Sequence, residues 1–139
     1  MGDGIIRHLF VYGTLMSRSG AAAIGGAERR ALHEASRSLG EASVAGRLYD
    51  LGRYPALVPA TSTSERCWGE VLELDDAAAM LALLDPYEGI DPTRPDAGEY
   101  RRISSTAQLA DGTELAAWAY VYQGDVAGRP LIAGGRWIA

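Results

Sequence analysis

Apolar and polar positions along this 139-residue chain follow two rhythms, and the switches between them mark its elements. Leu9-Phe10-Val11-Tyr12 is a continuous apolar run of β-formers ending at Gly13, which predicts a strand over His8–Tyr12. Ala27 to Ala35 is rich in helix formers, with Leu32 and Ala35 on one side and the Gly25-Gly26 break before it. The period returns to strand over Glu41–Leu51, where Val44, Gly46, Leu48 and Tyr49 lead to Gly52. Ala56-Leu57-Val58 lies between Pro55 and Pro59, which predicts an edge strand or a loop. Cys67–Leu74 alternates, with Trp68, Glu70, Leu72 and Leu74 on one face and Val71 and Glu73 on the other. Asp75-Asp76 then offers an N-cap to a helix over Ala77–Leu84, apolar at Met80, Leu81 and Leu84, with Pro86 as its stop.

The second half is punctuated by turns. Asp85–Gly98 is a Pro-, Asp- and Gly-rich connection of 14 residues, long enough to suggest a functional loop. Tyr100–Leu109 and Glu114–Tyr122 are strand runs around Asp111-Gly112, a strong hairpin signal. A Gly/Pro loop over 124–130 precedes Leu131–Trp137, read as a last strand or a turn anchored by Trp137 and Ile138. The sum is six or seven strands, mostly antiparallel, with two or three short helices. That predicts one α+β domain over residues 1–139, its sheet curled into a small mixed barrel with flanking helices.

Composition narrows the function. A net charge of −5 argues against a nucleic-acid partner, which selects for basic surfaces. No apolar run approaches the ~18 residues of a membrane span. The short apolar stretch after Arg7 is too brief for a signal sequence, so a cytoplasmic location is expected. Cys67 is the single cysteine, and beside Trp68 it reads as a core residue. Zinc-type Cys/His spacing, a phosphate loop with its Lys, and Gly-x-Ser-x-Gly are all missing, so neither a metal nor a cofactor is expected. His8 and His33 have no nucleophile motif near them and are read as an edge and a solvated residue. Trp68, Trp118 and Trp137 are assigned to the core on burial preference.

Two stretches carry candidate chemistry. A glycine directly after a strand, as in Tyr12-Gly13-Thr14-Leu15, lets consecutive N–H groups converge on one point, and such concavities bind anions, carboxylates included. In Leu84-Asp85-Pro86-Tyr87-Glu88-Gly89-Ile90, Glu88 stands between an aromatic and an aliphatic residue on an irregular segment. Desolvation there would raise its pKa toward the range useful to a general base. Tyr12 is placed at the rim of a pocket; Tyr120 and Tyr122 are left between pocket and core.

These segments, with Glu99-Tyr100-Arg101-Arg102 and Ala119-Tyr120-Val121-Tyr122 downstream, resemble the γ-glutamylcyclotransferase-like (AIG2-like) family over most of the chain from Leu9 to Trp137. The resemblance also takes in Leu48-Tyr49, Leu51-Gly52, Tyr54-Pro55 and Gly69-Glu70-Val71. It implies a small mixed barrel and a cofactor-independent reaction. In that reaction the α-amine of a γ-glutamyl group attacks its own γ-carbonyl, releasing 5-oxoproline and a free amine or amino acid. Carried over position by position, it makes Glu88 the catalytic proton-transfer group. The main chain of Tyr12, Gly13, Thr14 and Leu15 would bind the substrate's carboxylate or the developing oxyanion, and Tyr100 would orient the γ-glutamyl group. The implied partner is a small γ-glutamyl substrate. The Ser17–Ser38 segment is longer and richer in alanine than the pattern, and the residues between Glu88 and Tyr100 form a variable loop. An alternative reading is a non-catalytic module on the same fold that binds a small carboxylate metabolite.

Overall fold

The computed structural model describes residues 6–13, 26–52, 55–62, 64–90, 93–94 and 98–137. In chain order the elements are β1 (His8–Val11), α1 (Gly26–Glu34), β2 (Ser36–Ala45), β3 (Arg47–Asp50) and β4 (Pro55–Val58). They continue with β5 (Arg66–Leu74), α2 (Ala77–Tyr87), β6 (Tyr100–Leu109) and β7 (Glu114–Tyr122). Five strands close a barrel in the order β1-β5-β2-β6-β7, while β3 and β4 form a separate two-stranded ribbon. The parallel β1–β7 pair closes the ring, and the remaining barrel pairs are antiparallel. The fold is thus the expected α+β mixed barrel, with two helices among the described residues.

A five-stranded barrel has a narrow interior, and the sequence lines it accordingly. Ala42, Ala107, Ala117 and Ala119 pack inside with Cys67, Val44, Val71 and Val121 around Phe10 and Tyr12, and Leu48 and Leu57 of the ribbon join them. A second core lies outside the barrel wall. There Met80, Leu81 and Leu84 of α2 and Leu32 of α1 cover Leu9, Val11, Leu72, Leu74, Tyr100 and Tyr120. β1 serves both cores by strict alternation, Phe10 facing in and Leu9 and Val11 facing out.

Several boundaries differ from the sequence reading. β2 starts at Ser36, five residues before the expected strand, and so takes in Ser36-Arg37-Ser38. These polar residues gain their ladder from β5, opposite Leu74, Glu73 and Leu72. The expected Glu41–Leu51 strand breaks at Gly46, whose N–H turns away to donate to Glu65 O at 2.9 Å. In β5 both Val71 and Leu72 are buried, because each face meets its own core. Pro86 does not stop α2, which runs on to Tyr87. The N–H that proline lacks and the carbonyl its ring crowds both concern Ala82, an exposed residue, and the helix ends one residue later. Leu131–Trp137 forms no strand and makes single bridges, Leu131 to Tyr49 and Arg136 to Trp68. Trp137 packs against the barrel core, and Ile138 lies outside the described residues. Trp68 and Trp118 are half-buried, Trp118 at the margin of the outer core, each with an arginine guanidinium over its ring at 4.6 and 4.4 Å.

Gly69 allows the barrel to close at the end used below. β1 leaves its ladder after Val11 and passes so near that a Cβ on Gly69 would stand 2.1 Å from Val11 O and 3.0 Å from Tyr12 Cα. Backbone cannot yield as a flexible side chain can. Gly69→Ala is therefore expected to destabilise the protein by about 3 kcal/mol, the upper part of the usual overpacking range, as read by urea unfolding.

Candidate active site

Three elements bring the candidate groups to one end of the barrel: the C-terminal ends of β1 and β7 and the start of β6. Helix α2 delivers the fourth. Its N-terminus is capped by Asp76, whose carboxylate accepts from Ala79 N–H at 3.1 Å. Its C-terminus closes in a left-handed turn. Ile90 N–H donates to Asp85 O at 2.9 Å and Gly89 N–H to Pro86 O at 3.0 Å, with Gly89 at φ +82°. Glu88 is the cap residue, so its side chain leaves where the helix concentrates partial negative charge.

Burial pushes the Glu88 carboxyl up to about 8, and the neighbouring Glu99 and Asp85 add to the effect. No cation among the described residues offsets them. The residue is partly exposed, yet enough protein surrounds its carboxyl to disfavour the charged form. The sequence expectation of a desolvated carboxyl at Glu88 therefore matches its surroundings.

Tyr12 is buried rather than at a rim, and its hydroxyl donates to the main-chain carbonyl of Tyr120. Burial raises its pKa strongly, and the charges of Tyr100 and Glu88 act in the same direction, so phenol and carboxyl lie within electrostatic reach. Gly13 follows against the Pro55 ring, where an added Cβ would meet Cγ and Cδ at 3.1 Å. Thr14 and Leu15 lie outside the described residues. Tyr100 is buried, donates its hydroxyl to Pro55 O at 2.8 Å, and meets Tyr122 edge-on at 5.4 Å between ring centroids. It joins β6 to β4 and presents ring, not hydroxyl, to its surroundings.

Sequence reasoning overlooked Asp85 and its partners. Tyr120 Oη donates to Asp85 Oδ1 at 2.7 Å, and Arg102 grips both carboxylate oxygens, Nε to Oδ1 at 2.9 Å and Nη2 to Oδ2 at 3.1 Å. The hairpin carried the signal: with its turn at Asp111-Gly112, the ladder sets Arg102 opposite Tyr120 and Tyr100 opposite Tyr122. Gln123, also overlooked, holds the chain before β6 through its main-chain N–H to Glu99 O (2.9 Å) and its amide to Gly98 O (2.8 Å).

The profile of the family described as γ-glutamyl cyclotransferase, AIG2-like, matches residues 9–139. The chain belongs to this family. The γ-glutamylcyclotransferase family proteins YtfP of Citrobacter rodentium and Escherichia coli K12 are 36% and 35% identical over 133 residues, spanning 94% of this chain and 94% and 95% of theirs. The fold is that of the mouse AIG2-like protein, with a TM-score of 0.65 at 20% identity over 96% of both chains. YkqA of Bacillus subtilis gives 0.66 at 22% identity, with 96% of this chain matching 40% of that longer one. No helix among the described residues of this family member is long and apolar enough to cross a membrane.

The raised Glu88 value has a consequence for stability. Folded and unfolded forms are equally protonated well below pH 4.5, and the folded form resists ionisation as pH climbs to about 8. The burial penalty is thus absent in acid and complete above pH 8. Glu88→Gln is expected to raise Tm at pH 9, by about 4 °C for each kcal/mol relieved, and to leave it unchanged at pH 4. Calorimetry at the two pH values checks this.

Proposed function

We propose that the protein is a γ-glutamylcyclotransferase in which Glu88 moves the protons. The observation that carries this reading is a desolvated carboxyl with no cationic partner among the described residues, at the barrel end where β1 runs into Gly13. Family membership supplies the reaction class.

The substrate is a γ-glutamyl amide bearing an α-ammonium and an α-carboxylate. Glu88 as carboxylate takes a proton from the ammonium, freeing the nitrogen lone pair. That nitrogen attacks the γ-carbonyl carbon; a C–N bond forms within a five-membered ring and the carbonyl becomes an oxyanion. Main-chain N–H groups at the end of β1, those of Tyr12 and Gly13, would receive either that oxyanion or the α-carboxylate. Glu88 then hands its proton to the departing nitrogen as the original amide bond breaks. A second proton follows the same route as the ring nitrogen becomes a lactam N–H. The products are 5-oxoproline and an ammonium, with no water consumed.

Holding both ends of a flexible γ-glutamyl group in a folded conformer supplies much of the rate, and one positioned proton-transfer group is worth roughly 10²–10⁴-fold. A value near 8 suits the base, since it must accept from an ammonium and return to an amine. The free protein holds Glu88 mostly protonated at pH 7, so kcat/KM should rise with pH and level off above about 8. Binding of the α-ammonium beside Glu88 lowers its pKa, which places the midpoint of kcat below that of kcat/KM.

The test is 5-oxoproline release from γ-glutamyl-alanine, γ-glutamyl-ε-lysine, glutathione and a γ-glutamyl alkylamine. Turnover of at least one is expected in the wild type, with a loss of about 10²-fold or more in Glu88→Gln at unchanged ligand affinity. Full turnover in the variant would remove Glu88 from the chemistry. Ligand binding without turnover by the wild type on any member would identify a small-carboxylate binding module instead.

A further inference from the structure

We propose that Asp85 is a positioning residue for Glu88, gripped by Arg102 and Tyr120 so that the end of α2 presents the Glu88 carboxyl in one place and facing a paired rather than a bare carboxylate. The inference rests on the reading of Glu88 as the proton-transfer group and adds two residues that act through it.

The geometry begins with the hairpin. Arg102 and Tyr120 are direct partners on one rung of the β6–β7 ladder, so their side chains leave the sheet on the same face. That face is the one α2 covers. Trp118, one rung pair further along, lies under the Arg102 guanidinium at 4.4 Å. The indole fixes the plane of the guanidinium, leaving its edge free for a two-toothed grip. Asp85 takes that grip at 2.9 and 3.1 Å and accepts the Tyr120 hydroxyl as well. Three donors therefore converge on a single carboxylate, with Arg102 and Asp85 both only partly exposed.

The same residue governs the turn that carries Glu88. Asp85 O accepts Ile90 N–H at 2.9 Å and Glu88 N–H at 3.2 Å. Its side chain thus anchors the turn to the barrel while its carbonyl shapes the turn itself. Glu88 lies three residues on; its N–H is shared between Leu84 O at 3.0 Å and Asp85 O at 3.2 Å, and no hydrogen bond of its carboxyl is described. A shift of Asp85 on its rung carries Glu88 with it, and displacements near 1 Å at a reacting group cost about 10²-fold in rate.

Charge supplies the second role. Around Glu88 stand Asp85 on its own helix, Glu99 just before β6, Tyr12 at the end of β1 and Tyr120 on β7, with Arg102 behind Asp85 and Tyr100 behind Tyr12. Asp85 acts against ionised Glu88, and Arg102 offsets part of that charge from the far side of the pair. Asp85→Asn leaves Arg102 unanswered and favours ionised Glu88. Arg102→Gln leaves Asp85 unanswered and disfavours it. Loss of packing alone cannot move one group in two opposite directions.

The experiment titrates Glu88 in Asp85→Asn, Arg102→Gln, Arg102→Lys and the double variant Asp85→Asn/Arg102→Gln. The readouts are the pH profile of kcat/KM for 5-oxoproline release and, without substrate, the side-chain carboxyl ¹³C shift of Glu88, assigned by its loss in Glu88→Gln. Asp85→Asn is expected to lower the midpoint and Arg102→Gln to raise it, each by about half a pH unit or more. The double variant should return near the wild-type midpoint. Arg102→Lys keeps the charge but not the grip, so its midpoint should stay while turnover at the optimum falls about tenfold. Unmoved midpoints, or midpoints moved the same way, overturn the charge role; full turnover in Arg102→Lys overturns the positioning role. If Arg102→Gln does not fold, the Asp85→Asn midpoint and the Arg102→Lys turnover decide alone. If the wild type releases no 5-oxoproline, the ¹³C midpoints still test the Asp85–Arg102 coupling, so the two readings fail separately.

Discussion

A carboxyl group withdrawn from water at the end of a helix is the constraint that the rest of this structure serves. Burial, two nearby carboxylates and the helix's own negative pole all act against ionised Glu88. Left to itself, such a side chain would swing toward solvent and recover its hydration. It stays because the turn that holds it is tied down on each side. Asp85 is fastened to the β6–β7 ribbon, Gly89 and Ile90 close the turn by main-chain bonds, and the chain returning into β6 is held by Gln123. Strain at one residue is maintained by order in its surroundings, as active sites commonly require.

The barrel makes that order possible. Its interior is too narrow for large side chains on every strand, and alanines at 42, 107, 117 and 119 let Phe10 and Tyr12 occupy the middle. The outer core under α2 is a separate layer, and β1 is the strand both layers share. Tyr12, the residue after that strand, crosses at Gly69 and feels Glu88 from the outer layer. The candidate site therefore lies where the two cores meet, and neither layer could form it alone.

Much of this was legible in the chain. The Asp-Gly hairpin, the capped α2 and the strand ending at Gly13 carry strong local signals, and each stands where its residues put it. What escaped was non-local. Ser36–Ser38 carries no strand pattern of its own, because only its pairing with β5 makes it strand. Pro86 reads as a stop because the sequence does not show that the N–H it lacks would point to an exposed carbonyl. Trp68 and Trp118 read as core because the arginines that cover them come from distant segments. The surroundings of Glu88 were legible in kind, since flanking apolar residues forecast desolvation. Asp85 was hidden by its ordinary place beside a proline. Its partners became evident only once the hairpin register was combined with the docking of α2.

The tyrosines settle what kind of site the proposed chemistry would use. Tyr12 commits its hydroxyl to Tyr120 O, Tyr100 to Pro55 O, and Tyr120 to Asp85. Each donates to the protein, so their contribution to a bound γ-glutamyl group would be apolar ring surface. A wall of that kind excludes water, and water is the competitor that turns a cyclisation into a hydrolysis. With these three phenol protons committed, donation to a substrate anion among the residues named would fall to main-chain N–H groups. That division matches an intramolecular reaction. In the proposed reaction the nucleophile and electrophile would arrive on one molecule, and what the protein would add is a dry fold for the chain, a place for one negative charge and a carrier for two protons.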